Sequence, residues 1–260
     1  MAIVHTAERP ASDTAHGIVA RAGLFSRADA TEIAEVSKKL RLAHFSRRQT
    51  IYTEGESGDY LYVIASGKIK IDRRCAGDRL HLLMLLGAPE MFGALSIFDP
   101  GPRTSTATAL TAVTAVAIDS DVLRGWVVDH AEIRERLLRV LARRLRRADH
   151  NTADMVFADA GGRAASQLLR LGKQFGVQED GGIRVNHDLT QEEIGQLIGV
   201  ARETVNAVLN DFSQRGWIRL QGKSILITDS ERLIRRAGLT AVADGTESGV
   251  TGALVGPPSI

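Results

Sequence analysis

One stretch of the chain, residues 189–223, constrains the fold more than any other. Thr190 is followed three residues later by Glu193, which is the spacing of a capping box at the start of a helix. Gly199 stands where the C-terminus of a helix favours a left-handed residue. We therefore predict a short helix that begins after Thr190 and ends at Gly199.

A second amphipathic helix is predicted directly after Gly199. Arg202, Glu203 and Asn206 lie on its polar face, in the first turns, where a recognition helix meets base edges. Its apolar residues recur at the i, i+3, i+4 and i+7 spacing of a buried stripe: Val205, Val208, Leu209 and Phe212.

A predicted hairpin follows the two helices. Two apolar-rich segments, 217–220 and 224–227, flank a turn at Gln221, Gly222 and Lys223. Two helices with a glycine turn and a hairpin form the layout of a winged helix-turn-helix. The alternative is a plain helical hairpin beside an unrelated strand pair, without nucleic acid. The capping box, the turn, the polar face and the wing together favour the first interpretation.

Charge alone does not predict DNA binding. The formal net charge is +2, and residues 188–236 contain equal numbers of acidic and basic side chains. Affinity for DNA must then come from where the basic residues are placed, and we expect it to depend on dimerisation. The basic residues concerned are Arg202, Arg215, Lys223, Arg232, Arg235 and Arg236.

Composition excludes several other classes of protein. No apolar run approaches a membrane span, and the N-terminal residues lack the charged, apolar and cleavage-site order of a signal peptide, so we expect a cytoplasmic protein. Cys75 is the only cysteine, which excludes disulfide frameworks, thiolate zinc sites and iron-sulfur clusters within one chain. The seven histidines lack metal-ligand spacing, and no metal site is predicted.

The remaining sequence divides into predicted segments. Residues 1–16 and 239–260 are expected to be disordered tails. Residues 17–128 contain short apolar stretches between turn signals, typical of a β-sandwich or barrel. These stretches are 61–64, 68–71, 81–86 and 106–118.

A long helix is predicted within residues 129–160. A heptad seam suited to pairing with a second helix runs along it: Leu138, Leu141, Leu145, Ala148, Thr152 and Met155. The alternative is a long helix that lies on its own domain. Gly161 and Gly162 are predicted to break the helix, to form a hinge and to begin a DNA-binding domain at 161–238.

Four segments of the chain carry a family resemblance: EGESGDYLYVI (54–64), SG (66–67), FGALS (92–96) and RETV (202–205). Together with the predicted order of β-sandwich or barrel, long helix and winged helix-turn-helix, they resemble the CRP/FNR transcription regulators. Three further segments resemble the actinobacterial cyclic-AMP receptor proteins within that family: FDPGPRT (98–104), LRVLARRLRR (138–147) and VNHDLTQEE (185–193). The resemblance implies an α+β fold with an N-terminal cyclic-nucleotide-binding β-roll, a long dimerisation helix and a C-terminal winged helix-turn-helix. It also implies a homodimer that binds double-stranded DNA and RNA polymerase.

The resemblance further implies an effector site in the β-roll. Arg103 would hold a cyclic phosphate with two N–H groups, and the Thr104 hydroxyl would contact the same phosphate. Gly93 and Leu95 would provide close backbone approach. The set is completed by Ala94, Ser96, Ala148 and Asp149.

The chain departs from the family at two effector positions. Ala94 replaces a glutamate that accepts the ribose 2′-hydroxyl, and Ala148 replaces a hydroxyl residue that contacts adenine. Losing one charged hydrogen bond costs about 1.5 to 3 kcal/mol, or roughly ten- to hundredfold in affinity. Cyclic AMP or another cyclic nucleotide is therefore expected to bind weakly. The alternative is that Arg103 pairs with a β-roll carboxylate instead.

The DNA contacts are also carried over by resemblance, to a palindromic operator of the TGTGA type. Arg202 would donate to guanine and Glu203 would accept from cytosine. Ala207 replaces a basic residue that reads a base, and Ala201 replaces a serine that contacts phosphate. The remaining candidate contacts are Glu192 and Thr204 to phosphate or water and Gly222 and Lys223 to the DNA backbone.

Three other functions remain as alternatives to a ligand-gated regulator. The first is a regulator that acts without an effector or competes with a cyclic-AMP-responsive relative. The second is an enzyme under cyclic-nucleotide control, but residues 163–236 offer no nucleotide loop, no nucleophile with a paired base and no metal cluster. The third is an interaction protein without DNA binding, which Arg202, Glu203 and the wing argue against.

Overall fold

The computed structural model describes residues 12–22, 38–75, 77, 79–99 and 101–238. They form two compact units, one up to Arg143 and one from Arg144, and each is described separately. Residues 12–16, predicted as part of a disordered tail, instead begin helix α1 (Ser12–Arg21). They do so because Ala15, Ile18 and Val19 form a buried apolar stripe. The rest of both predicted tails, 1–11 and 239–260, lies outside the described residues.

The first unit contains two four-stranded antiparallel sheets, with strand orders β1-β8-β3-β6 and β2-β7-β4-β5. Among the described residues of this unit, three helices accompany the strands: α1, a short helix α2 (Leu95–Phe98) and α3 (Ser120–Asp129). The strands are β1 (Leu40–Phe45), β2 (Thr50–Tyr52), β3 (Tyr60–Ser66), β4 (Lys68–Arg74), β5 (Leu80–Gly87), β6 (Met91–Phe92), β7 (Thr106–Ala109) and β8 (Val113–Asp119).

Both faces of the first sheet are buried, because successive side chains of a strand point to opposite faces. In β3, Tyr62 and Ile64 pack in the core shared with the second sheet. Leu61 and Val63 pack against the helices on the other side. The predicted strands at 61–64, 68–71 and 81–86 are confirmed. The stretch 106–118 proves to be two strands, β7 and β8, which belong to different sheets.

A single long helix, α4 (Ala131–Phe157), follows the β-roll, and the second unit contains its last part. The second unit also has one antiparallel sheet, of order β11-β12-β10-β9. Its other elements are α5 (Ala160–Phe175), β9 (Gly176–Glu179), β10 (Gly182–Asn186), α6 (Gln191–Ile198), α7 (Arg202–Gln214), β11 (Ile218–Gln221), β12 (Ser224–Ile227) and α8 (Ser230–Arg236).

The helix-turn-helix has the local geometry that its sequence predicts. The Thr190 hydroxyl accepts from the Glu193 amide at 3.1 Å, and the Glu193 carboxylate accepts from the Thr190 amide at 2.8 Å. Gly199 ends α6 in the left-handed conformation, with φ +77°. Gly222, also left-handed, is the first of two turn residues between β11 and β12. The capping box, the glycine turn, the second helix and the wing are therefore all confirmed.

The predicted break at Gly161 and Gly162 is wrong. Helix α4 ends at Phe157, and Asp159 caps the next helix by accepting from the Gly162 amide at 2.8 Å. The two glycines lie buried in the first turn of α5. A Cβ on Gly161 would lie 2.1 Å from the guanidinium of Arg236, so this glycine permits a close packing contact with α8. The break occurs two to three residues earlier than predicted.

Candidate effector and nucleic-acid sites

The guanidinium of Arg103 is the centre of the candidate effector site. Arg103 is only 6% exposed, and its Nη1 donates to the Gly93 carbonyl at 2.7 Å and to the Ser96 hydroxyl at 2.9 Å. Its Nη2 donates to the Tyr60 carbonyl at 2.8 Å. The Nε group is buried and has no hydrogen-bond partner among the described residues. These acceptors are carbonyl and hydroxyl oxygens, which argues against the alternative of a β-roll carboxylate.

Two glycines make room for this arrangement. Gly93 has φ +86°, and a Cβ there would lie 2.7 Å from the Tyr60 carbonyl oxygen and 2.9 Å from Nη1 of Arg103. A Cβ on Gly58 would lie 1.9 Å from the Ser96 hydroxyl oxygen. Side chains at either position would therefore displace the groups that hold Arg103. The family segment containing Gly58 was recognised in the sequence, but this spatial role was not.

The other residues predicted for the effector site differ in position. Ala94 precedes α2, is 5% exposed and packs in the apolar core beside Ile97. Leu95 and Thr104 are exposed. The structure thus brings together Gly93, Ser96 and Arg103, while the contribution of the other residues to ligand binding stays a prediction.

The remaining effector candidates, Ala148 and Asp149, lie on α4 in the second unit and are exposed. Their role in ligand binding also stays a prediction. Tyr62 is an ionisable neighbour of Arg103. Burial raises the pKa of Tyr62 to about 12, although the positive charge of Arg103 offsets part of that rise. The phenol is therefore neutral at physiological pH.

The candidate DNA-binding surface lies on the exposed side of α7. Val205, Leu209 and Phe212 are buried, whereas Arg202 and Glu203 are exposed in the first turn. This is the orientation that the apolar spacing predicts. Thr204 and Asn206 are half-buried, and Glu192, Ala201, Gly222 and Lys223 are exposed.

The wing is joined to the start of α6 through the backbone. The Asp188 amide donates to the Lys223 carbonyl at 3.4 Å, and Asp188 has a positive φ of 58°. The side chain of Lys223 remains exposed beyond that contact. The wing tip and the first helix of the motif are thus neighbours.

Helix α7 begins without a side-chain cap, because Ala201 occupies the N-cap position. We expect Ala201→Ser to stabilise the protein by about 1 kcal/mol, since a serine hydroxyl can accept an unpaired amide of the first turn. Thermal unfolding would measure the change. Ala207→Ser, on the same helix but away from its N-terminus, is the control and should give no gain. Equal stabilities of the Ala201→Ser variant and the wild type would contradict the expectation.

The predicted heptad seam follows α4, and several of its apolar side chains are exposed. Leu138 is 66% and Leu145 is 64% exposed, whereas Leu141 is half-buried. Ala148, Thr152 and Met155 are also exposed. Large exposed leucines in a row on one helix are typical of a surface that pairs with another chain.

Polar contacts at the start and along the side of α5 were missed in the sequence. Asp154 accepts from the Ser166 hydroxyl at 2.9 Å and pairs with Arg170. Asp159 pairs with Arg236 at 2.8 Å, and this hydrogen bond is the main cause that lowers the pKa of Asp159 to about 2. No local pattern predicts such pairs, because they depend on how the helices pack.

In the part of the chain that the structure describes, none of the helices is long and apolar enough to cross a membrane. Within the same residues, no group of three or more His, Cys, Asp or Glu side chains is placed to hold a metal ion.

Comparison with known proteins assigns the chain to a family. A cyclic nucleotide-binding domain matches residues 42–130, and a Crp-like helix-turn-helix domain matches residues 162–236. The chain is 59% identical over 220 residues to a CRP-like cAMP-activated global transcriptional regulator of Mycobacterium tuberculosis, covering 85% of this chain and 98% of the relative. This chain belongs to the CRP/FNR family. It is a DNA-binding transcription regulator and not an enzyme.

More distant members of the CRP/FNR family agree with this assignment. The cyclic AMP receptor protein of Thermus thermophilus is 31% identical over 199 residues, which is 75% of this chain and 89% of that protein. A solved CRP-family regulator of the same organism has a TM-score of 0.65 and 28% identity, covering 75% of this chain and 96% of the other. The predicted fold class is confirmed.

Proposed function

We propose that this CRP/FNR regulator acts as a homodimer on a palindromic operator of the TGTGA type, with half-sites about one helical turn apart. The observation that carries the proposal is the exposed pair Arg202 and Glu203 in the first turn of α7, opposite an apolar face on which Val205, Leu209 and Phe212 are buried. RNA polymerase as a partner and a cytoplasmic location stay predictions.

A gel-shift titration tests the DNA proposal. A palindromic TGTGA probe should bind far more tightly than a probe in which the two half-sites are scrambled, because base contacts add to the phosphate contacts common to both. A third probe with an extra half turn between the half-sites should also lose affinity if a two-fold symmetric dimer binds. Equal binding of all three probes would contradict an operator of this kind.

For the effector we propose weak binding of a cyclic nucleotide at Arg103. The support is the incomplete pairing of the guanidinium: Nη2 has one hydrogen beyond its bond to the Tyr60 carbonyl, and this hydrogen has no acceptor among the described residues. A phosphate oxygen would satisfy a donor that is otherwise left unpaired at a cost of about 1 to 3 kcal/mol. Gly93 provides the close backbone approach that a phosphate needs.

A second candidate is a regulator that binds DNA without an effector or competes with a cyclic-AMP-responsive relative. The observation that favours it is the burial of Ala94 in the apolar core, where the family has a ribose-binding carboxylate. An effector shifts a conformational equilibrium only by its differential affinity for the two states. A pocket that lacks this contact gives a smaller shift.

Ribose recognition distinguishes an ordinary family site from the one proposed here. We expect cyclic AMP and its 2′-deoxy analogue to bind with dissociation constants within about threefold of each other, because Ala94 offers no acceptor for the 2′-hydroxyl. Both constants should lie above about 1 µM. Calorimetry with the two ligands measures this, and cyclic GMP serves as a base-specificity control.

The possible results of this comparison differ clearly. Submicromolar binding with strong preference for the ribose form would mean that another group accepts the hydroxyl, and the chain would be an ordinary cyclic-AMP-gated regulator. No heat with any cyclic nucleotide, together with tight operator binding, would leave the effector-independent regulator as the better account.

A further inference from the structure

An aromatic side chain that the sequence did not assign to the effector site contacts Arg103. The Cζ atom of Arg103 lies 4.3 Å from the centroid of the Tyr52 ring. Tyr52 is 7% exposed, so both partners of this cation–π contact are almost completely removed from water. Such contacts are stronger when they are desolvated, because water then screens the ring quadrupole less.

Tyr52 is held in place by Phe92, the residue that directly precedes Gly93 of the effector site. Its ring packs on Phe92 with a centroid distance of 6.0 Å, and Phe92 stacks on Tyr62 at 4.9 Å. Phe92 directly precedes Gly93, whose carbonyl accepts from Arg103. A shift of the Tyr52 ring would therefore act on the packing of Phe92 as well as on the guanidinium.

The hydrogen bonds of Arg103 leave part of its guanidinium unpaired. They occupy both hydrogens of Nη1 and one of Nη2, while Nε is buried without an acceptor. An unpaired buried donor favours a side-chain rotation that returns it to water. The Tyr52 ring stabilises the buried orientation instead, because it attracts the positive charge without using any N–H group.

We propose that Tyr52 is a positioning residue of the effector site: its ring holds the guanidinium of Arg103 in the orientation in which Nη2 keeps one hydrogen for a ligand phosphate. Gly58 contributes to the same arrangement, because its lack of a Cβ lets Ser96 and Arg103 approach the backbone at Gly58. This inference rests on the proposed binding of a cyclic nucleotide at Arg103.

Three variants test the proposal in the full-length protein. Tyr52→Leu removes the ring, and Tyr52→Phe keeps the ring but removes the hydroxyl. Phe45→Leu is the matched control, because Phe45 belongs to the same core and packs edge-on against Tyr62. It removes an aromatic ring from the β-roll without removing the contact to Arg103. Thermal unfolding of each variant measures any general loss of stability.

The first measurement is calorimetry with cyclic AMP. We expect Tyr52→Leu to weaken binding about tenfold, which is ~1.4 kcal/mol. Tyr52→Phe should bind like the wild type, and Phe45→Leu should change the affinity by less than about twofold. A role in core packing alone would give Tyr52→Leu and Phe45→Leu similar effects on affinity, and that result would overturn the proposal.

The second measurement needs no ligand and so separates this proposal from the proposed function. The Nε–H signal of Arg103 in ¹H–¹⁵N spectra, assigned by its absence in Arg103→Lys, should be shifted by the ring and exchange slowly with water. Tyr52→Leu should abolish both properties, while Tyr52→Phe and Phe45→Leu should keep them. If the wild-type protein binds no cyclic nucleotide, the effector proposal fails, and the Nε–H signal alone then tests the positioning role. An unchanged signal in Tyr52→Leu would overturn that role.

Discussion

Replacing Leu141 and Leu145 together by glutamate is expected to convert the proposed dimer into monomers. Leu145 is largely exposed on α4 and Leu141 is half-buried, and the seam that they belong to repeats in steps of three and four residues. Two carboxylates on each helix would face the same carboxylates of the second chain, and their burial without partners is unfavourable. Light scattering measures the mass of the variant.

A control with the same number of added carboxylates tests whether position matters. Arg143→Glu with His150→Glu places two carboxylates on the opposite side of α4, since these residues are offset by about half a turn from the seam. This variant should remain a dimer. A dimeric mass for the Leu141 and Leu145 variant would exclude this seam and favour the alternative that α4 packs only within its own chain.

Loss of the dimer should also reduce specific DNA binding. A single DNA-binding domain with almost no net charge binds phosphates weakly. Linking two such domains raises the apparent affinity for DNA by about 10² to 10⁴, because the second domain binds at a high effective concentration. We therefore expect the monomeric variant to lose at least about a hundredfold in affinity for a palindromic probe. Its affinity for a single half-site should change little.

The second large effect is expected from Arg202→Ala. If Arg202 donates to guanine, its removal should cost about 1 to 3 kcal/mol per half-site and relax the choice at one G·C pair, because base-edge contacts carry the sequence information. Binding to a library of probes with one varied base pair measures both the affinity and the relaxed position.

Two other variants show which kind of contact has been lost. Lys223→Ala should weaken all probes alike and reduce the salt dependence, as expected for a phosphate contact from the wing. Arg215→Ala should leave base preference unchanged, because Arg215 lies at the far end of α7 and pairs with Asp211 at 2.8 Å. Uniform loss across the library in Arg202→Ala would mean that Arg202 contacts phosphate and not a base.

Local sequence signals predicted the DNA-binding motif well because its geometry is local. The capping box joins Thr190 to Glu193 within one helical turn, and Gly199 ends the helix through its own backbone angle. The side of α7 that is exposed also follows from spacing alone. Strands β9 and β10 were missed, since their pattern is short and β9 is exposed along its length, which leaves no alternation to detect.

The effector site was predicted only in part, because its contacts join residues that are distant in the chain. Resemblance identified Arg103 and Gly93, but the side chain of Arg103 is surrounded by residues from three separate places in the chain. Only the packing of the two sheets brings the Tyr52 ring close to the Tyr60 carbonyl and to the segment that contains Gly93 and Ser96. The burial of Ala94 in the core likewise could not be predicted from its position in the motif.

The sequence by itself determined the helix-turn-helix with its wing, the family and the polar face of α7, because capping, periodicity and turn residues act over a few positions. The tertiary structure alone decided where α4 ends and what Gly161 does: the helix stops at Phe157, and the glycine accommodates Arg236 from α8. It also decided that Tyr52 contacts Arg103. Contacts of this kind join residues distant in the chain, and they depend on the packing of whole elements, which no short pattern encodes.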